Sequence, residues 1–263
     1  MTRLPLALLA LSTLAACATT TEGSGASASE HAALASARPI DRGARERIVR
    51  EDMLTQMAFW AGEYNTFPND LEAAQRFAEA LRRGGRADRA AQVAGDALGR
   101  FPEDAALLTT HGLALIAARH PQEALRPLAL AAQADPRNWR VRSALGVALD
   151  QVGRAGEARR AYQEALAIQP GDPGVLTNLG MSHLIAGQPE EAEPILRQAV
   201  ALPGAPPQAR QNLAIALALQ GRFEEAEQLE SIDLPPAAVQ ANMIFLRGLL
   251  SDSRRWGDLN SRS

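Results

Sequence analysis

The chain has 263 residues, 46% of them hydrophobic, enough for a buried core but no guide to fold by itself. Its formal net charge is −3, and its 27 basic residues, all arginines, form no basic patch of the kind that marks a nucleic-acid binder. Aromatic residues make up only 4% while alanine and leucine dominate, a composition that favours closely packed helices over sheets and points to an all-α protein.

Met1 to Cys17 carries one positive residue, Arg3, then an apolar run from Leu4 to Leu14, then Leu14-Ala15-Ala16-Cys17. This is the pattern of an export signal over residues 1–16, and the run falls short of the ~20 apolar residues that a membrane-spanning helix needs. The last four residues resemble a lipobox. That resemblance implies that Cys17 becomes the new amino terminus and carries diacylglycerol. Each buried methylene adds about 0.8 kcal/mol, so several acyl chains anchor firmly. Ala18 stands where an inner-membrane retention signal has aspartate, so by analogy the expected location is the periplasmic face of the outer membrane. Cys17 is the only cysteine, which leaves no intramolecular disulfide. Residues 17–40 are rich in Thr, Ser, Gly and Ala and read as a flexible tether with a reach of roughly 25 Å.

Residues 41–70 read as a degenerate helix pair, with Met53, Met57, Trp60 and Tyr64 on one stripe at helical spacing and Pro68 at the end. From there the chain repeats. Pro68, Pro102, Pro136 and Pro170 are each 34 residues apart. In the same frame run Ala90, Ala124, Ala158, Ala192 and Ala226, and a second small series of Ala78, Gly112, Gly146, Gly180 and Ala214. Glycine inside a helix costs about 1 kcal/mol relative to alanine, so three of them at one register position indicate a close helix crossing that outweighs propensity. Leucines at 81, 115, 149 and 217 and the large apolar residues Phe77, Leu145, Leu179 and Leu213 are core positions. Gly85, Gly153, Gly187 and Gly221 suit a left-handed residue between the two helices of a pair.

This period and its pattern of small, large and proline positions resemble the tetratricopeptide repeat (TPR). The resemblance covers about Leu71 to Asp233 and implies a right-handed TPR superhelix of about five helix pairs over 71–234. A C-terminal capping helix over 235–250 opens at Pro235-Pro236 and places Val239, Met243, Leu246 and Leu250 on one face. Residues 251–263 read as a disordered tail.

No constellation of nucleophile, base and orienting group is visible, so no catalytic residue, metal ligand or cofactor is assigned and the chain is not expected to be an enzyme. His31, His111, His120 and His183 lack partners at ligand spacing. Glu190-Glu191 and Glu224-Glu225 open second helices, where negative charge suits the helix dipole. No small-molecule substrate is expected either. What remains is the concave face, lined in TPR proteins by the first helix of each pair. In the central and later copies its candidates are Arg140, Ser143, Val147, Asp150, Thr177, Met181, Leu184, Gln211, Ile215 and Leu219, with Asn178 and Asn212 offering amides to a bound backbone. Two readings stay open at this point: a groove for a partner segment, or apolar residues covered by the chain's own terminal helix. The lysines of a carboxylate clamp are absent.

The lipobox, the tether, the repeats and the stretch Gln211 to Arg222 followed by Leu234-Pro235-Pro236 are similar to the TadD-type lipoproteins of the tight-adherence (Flp) pilus. That likeness implies a pilotin-like role, escorting the pilus secretin or another assembly component to the outer membrane. Anchored TPR proteins of barrel assembly, of type IV pilus secretins and of peptidoglycan-hydrolase scaffolding share the architecture, and the alternative is an envelope scaffold that recruits peptidoglycan enzymes or barrel-assembly components.

Overall fold

The computed structural model describes residues 42–251. The expected signal, Cys17 with its tether, and the tail beyond Ser251 lie outside the described residues. Among the described residues there are thirteen helices and no strand. Two precede the repeats, α1 (Arg42–Ile48) and α2 (Met53–Thr66). Five antiparallel pairs follow: α3 (Leu71–Arg83) with α4 (Ala87–Leu98), α5 (Ala105–Ala117) with α6 (Pro121–Ala134), α7 (Trp139–Gln151) with α8 (Ala155–Ile168), α9 (Pro173–Ile185) with α10 (Pro189–Ala201), and α11 (Pro207–Leu219) with α12 (Phe223–Glu230). The last helix is α13 (Pro236–Ser251). Each helix packs on the next, and each first helix also touches the first helix of the following pair, which is how a TPR superhelix stacks.

The glycines at the crossing points explain the close approach. A Cβ built on Gly112 would lie 2.5 Å from Leu128 Cγ, one on Gly146 2.5 Å from Tyr162 Cε1, and one on Gly180 2.5 Å from Leu196 Cγ. Each first helix therefore takes a bulky side chain of its own second helix into the space a side chain would fill. Ala90, Ala124, Ala158, Ala192 and Ala226 are fully buried, as the rhythm of small residues requires.

The turns inside the pairs are equally regular. Gly85, Gly153, Gly187 and Gly221 have φ of 74, 79, 69 and 81°. After each, a backbone N–H reaches back to a first-helix carbonyl, as from Arg86 to Leu81 at 2.8 Å and from Arg154 to Leu149 at 2.8 Å, closing the helix end. In the second pair the same place is held by Arg119, with φ of 64°.

A further series in the 34-residue frame closes the helix starts. Asp70, Asp104, Asn138 and Asp172 are the N-caps of α3, α5, α7 and α9. Their side chains accept hydrogen bonds from the backbone N–H of Ala73, Leu107, Val141 and Val175 at 3.1, 2.8, 3.3 and 2.9 Å. Pro206 breaks the series at α11 and makes no side-chain cap. Between the fourth and fifth pairs, Glu193 of α10 accepts from Arg222 at 2.7 Å and from Gln220 at 2.9 Å, as well as from Arg197 on its own helix. Burial pushes its carboxyl up, but those three donors bring it down to about 2.

Candidate partner-binding groove

The frame makes the concave positions explicit: in the third pair they are Arg140, Ser143, Val147 and Asp150, and Thr177, Met181, Leu184, Gln211 and Ile215 follow at steps of 34 residues, with Asn178 and Asn212 in register with Ala144 and Leu219 with Gln151. The structure gives these side chains different tasks. Arg140 is exposed and its guanidinium lies over the Trp139 ring at 4.3 Å. Ser143 is buried, and its hydroxyl oxygen accepts a long 3.4 Å hydrogen bond from the half-buried Asn178. Thr177 is buried too and donates to the Pro173 carbonyl at 2.6 Å, so neither hydroxyl offers much surface to a ligand. Val147, Gln211, Asn212, Ile215 and Leu219 are half-buried, and Met181 is 39% exposed.

Leu184 is buried in the same apolar cluster as Met243 and Leu246 of α13, and Leu219 packs against that cluster. For these two the terminal helix belongs to the covering cluster. Met181 stays open to solvent. Ile215 looks into a cleft of about 480 Å³ that it shares with Gln211, Leu234, Asn242, Phe245 and Leu246.

Asp150 is spoken for by its neighbours. One carboxylate oxygen accepts from Ser182 at 2.8 Å and the other from Tyr162 at 3.0 Å. Burial raises this carboxyl above the usual carboxylate value although both hydrogen bonds pull it down. The Tyr162 phenol is pushed up by burial and by the adjacent Asp150. The triad ties α7 to its own second helix and to the next first helix, so Asp150 sets the spacing of the stack.

Two parts of the concave face escaped the reading of the sequence. The first is its N-terminal stretch. A cleft of about 530 Å³ is lined by Gln75, Arg76, Glu79 and Arg82 of α3 and by Thr109 and Leu113 of α5. Gln75, Glu79, Thr109 and Leu113 are the groove positions two and one repeats before Ser143 and Val147, and Arg76 and Arg82 those two repeats before Ala144 and Asp150, so the period alone could have found them. Here the face is charged, and its charges are partly matched in place, with Arg82 bonded to Glu79 at 2.8 Å.

The second is a sixth first helix. α12 has 8 residues where α10 has 13, and α13 accordingly starts early. A step of 30 instead of 34 residues superposes buried Ala209, Leu213 and Ala216 on buried Val239, Met243 and Leu246. Four residues are close to one helical turn, so the loss shifts the frame without turning the helix. In that frame Asn242 follows Asn178 and Asn212, and Phe245 follows Met181 and Ile215. Ile244, 72% exposed, occupies the place where every pair has Ala or Gly.

His31 lies outside the described residues; His111 Nδ1 lies 2.9 Å from the Ala91 carbonyl and His183 Nδ1 3.1 Å from Gln188 Oε1, while His120 is exposed beside Glu123. Among the described residues no group of three or more His, Cys, Asp or Glu is placed to hold a metal ion. No helix among them is long and apolar enough to cross a membrane.

Two family models described as tetratricopeptide repeat match the chain, one over residues 115–181 and the other over 177–238. Solved structures agree. MamA of MSR-1 is 28% identical with a TM-score of 0.51, over 56% of this chain and 85% of that one. A MamA of AMB-1 is 26% identical with a TM-score of 0.52, over 60% and 93%. A thermophilic TPR protein of Thermus thermophilus, TTC0263, shares the fold at 20% identity and a TM-score of 0.56, over 66% and 97%. No curated protein matches. Residues 115–238 match tetratricopeptide repeats, and the helical stack that contains them packs in the manner of a TPR superhelix.

Proposed function

We propose that the protein is a lipid-anchored TPR scaffold that serves as a pilotin-like assembly factor for a tight-adherence (Flp) pilus. It holds a segment of the secretin or of another pilus component in its concave groove. The observation that carries the binding role is the groove itself: Met181, Ile215 and Phe245 present apolar surface along the inner side of the stack. The anchor is supported by Leu14-Ala15-Ala16-Cys17, and outer-membrane placement by Ala18 after the cysteine. Lipidation would keep the groove within a tether's length of the membrane in which a secretin assembles.

The test is purification of the tagged full-length protein from detergent-solubilised envelopes after mild cross-linking. A secretin or pilus component should co-purify, and a Cys17→Ser variant should lose both membrane association and piliation. Recovery of peptidoglycan hydrolases or barrel-assembly components instead, with a cell-shape defect and normal piliation, would overturn the pilus assignment in favour of a general envelope scaffold.

A further inference from the structure

With α13 recognised as a sixth first helix, the inner face of the stack carries an unbroken apolar row: Leu113, Val147, Met181, Ile215 and Phe245, one from each successive first helix. Met181 is 39% exposed and Phe245 68%, and Ile215 and Phe245 line one cleft of about 480 Å³. The positions flanking the row on one side are Thr109, Ser143, Thr177 and Gln211. Two steps over come Thr110, Ala144, Asn178, Asn212 and Asn242. None of these residues is charged, in a chain where 22% of residues are. One pair further upstream the same positions are Gln75, Arg76 and Glu79, and the uncharged tract ends. The one carboxylate of the cleft, Glu230, is buried and accepts the Asn242 amide at 3.0 Å.

Charge matching decides what can lie on such a surface. Arg140, stacked on Trp139 in the third pair, is the one exposed charge among the groove candidates. A charged side chain laid along the row beyond it, over Met181, Ile215 and Phe245, would shed water and meet no free opposite charge, whereas an uncharged one loses little. The cleft has the size and the mix of apolar walls with a few polar groups that suits a bulky side chain. We propose that the groove selects an uncharged segment of a partner protein and anchors it by one large apolar side chain seated between α11 and α13, against Ile215, Leu234 and Phe245. The asparagines of successive repeats meet the polar atoms of the segment's backbone. This rests on the concave face being a binding groove and does not depend on the pilus assignment.

The experiment pans the immobilised full-length protein, in detergent, against a random dodecapeptide phage library, then measures a synthetic copy of the enriched peptide by fluorescence anisotropy. Enriched sequences should be depleted in Lys, Arg, Asp and Glu and contain a bulky apolar residue. Phe245 is largely exposed, so Phe245→Asp spares the core, and it should weaken binding by about tenfold or more. Ile232→Asp, on an exposed apolar residue outside the row, should leave binding within about twofold. Charge-rich enriched peptides, or binding that ignores Phe245→Asp, would overturn the proposal. So would a dimer that dissociates in the Phe245→Asp variant, which would make a second copy the occupant. Peptide affinity that rises about tenfold on deleting residues 252–263 would assign the cleft to the chain's own terminus. If no peptide is enriched, the groove reading itself fails; if peptides behave as expected but no pilus component co-purifies, only the pilus assignment does.

Discussion

The two ends of the stack are closed by opposite means. At the start, α1 has seven residues, none of them fully buried, and its apolar footing is the partly buried Ile48 at its end. It is docked mainly by one side chain. Arg45, only 10% exposed, pairs with Glu63 of α2, with Asp70, the N-cap of α3, and with Glu72 in the first turn of α3, and its guanidinium lies 5.6 Å from the centre of the Trp60 ring. At the far end α13 is held by Val239, Met243 and Leu246, all buried against the last pair, and turns Ile244 and Phe245 outward. A charge network holds α1 at one end, its members finding their partners within it while Val49 and Leu54 stay exposed beside it. Apolar packing closes the other end on one face only, and so leaves the cleft and the exposed row on which a partner can act.

The strongest way to break that contrast is at Arg45. Arg45→Ala leaves Glu63, 4% exposed, without a countercharge and should cost about 3–5 kcal/mol locally. Hydrogen exchange should show α1 and α2 losing protection while α13 keeps it. A paired Arg45→Met, Glu63→Leu variant should recover most of the loss. Protection unchanged in Arg45→Ala would mean that the network is not what docks α1.

At the opposite end Met243→Ala should cost about 3 kcal/mol, the usual penalty of an emptied core site, and release α13 first. Exchange in α13 should rise while α1 and α2 are untouched. If both ends loosen together, the stack unfolds as one unit and the comparison of its ends loses its meaning.

The middle sets the scale. Gly146→Ala should gain about 1 kcal/mol from helix propensity and still lose about 1–2 kcal/mol net, because its Cβ would meet the Tyr162 ring at 2.5 Å. The ring cannot retreat, since its hydroxyl is bonded to Asp150. Gly112→Ala, which meets the more adaptable Leu128, should lose less. Equal losses at the two sites, read from urea midpoints, would remove the Tyr162–Asp150 link from the account.

Next in size is the seam between the fourth and fifth pairs. Glu193 is held at about 2 against an ordinary 4.5, so its contribution is complete above about pH 4.5 and fades as the pH falls toward 2. Its partners Arg197 and Arg222 are substantially exposed, so the effect is limited to about 1 kcal/mol. Glu193→Gln should unfold at nearly the wild-type pH-7 stability less that amount, with a shallower loss between pH 4.5 and 2. An unchanged acid slope would remove Glu193 from the seam.

Much of this design is written in the period. The glycines at 112, 146 and 180 announced a close approach because nothing else justifies glycine inside a helix, and the atoms that fill the vacated space are now identified. The capping series of Asp70, Asp104, Asn138 and Asp172 was equally periodic, but its residues are ones that turns favour for several reasons, so their recurrence was easy to pass over. The sixth first helix was hidden by a loss of four residues, which preserves the facing of side chains and destroys the count. The Arg45 network had no signal at all: its partners lie 18, 25 and 27 residues away, a set of spacings that no repeat generates. Burial also sorted the groove candidates in a way facing alone could not, since Ser143 and Thr177 have concave register and little surface.

The smallest expected effect concerns the one turn that departs from glycine. Arg119 holds φ of 64°, where its four counterparts are glycines. The left-handed region costs an L-residue about 1–2 kcal/mol, and glycine removes that cost while adding unfolded-state entropy worth about 0.4–1 kcal/mol. Arg119→Gly should therefore stabilise by about 0.5 kcal/mol, and Arg119→Asn, which tolerates the same backbone without glycine's entropy, by a similar amount. The gain belongs to the α5–α6 turn, in the N-terminal half, so hydrogen exchange should slow there and not in α13. Destabilisation by both variants would show that the arginine side chain, beside Ile116, Pro121 and Gln151, contributes more than its backbone costs. In that case the second pair would be held, like α1, by an arginine placed where apolar packing runs short.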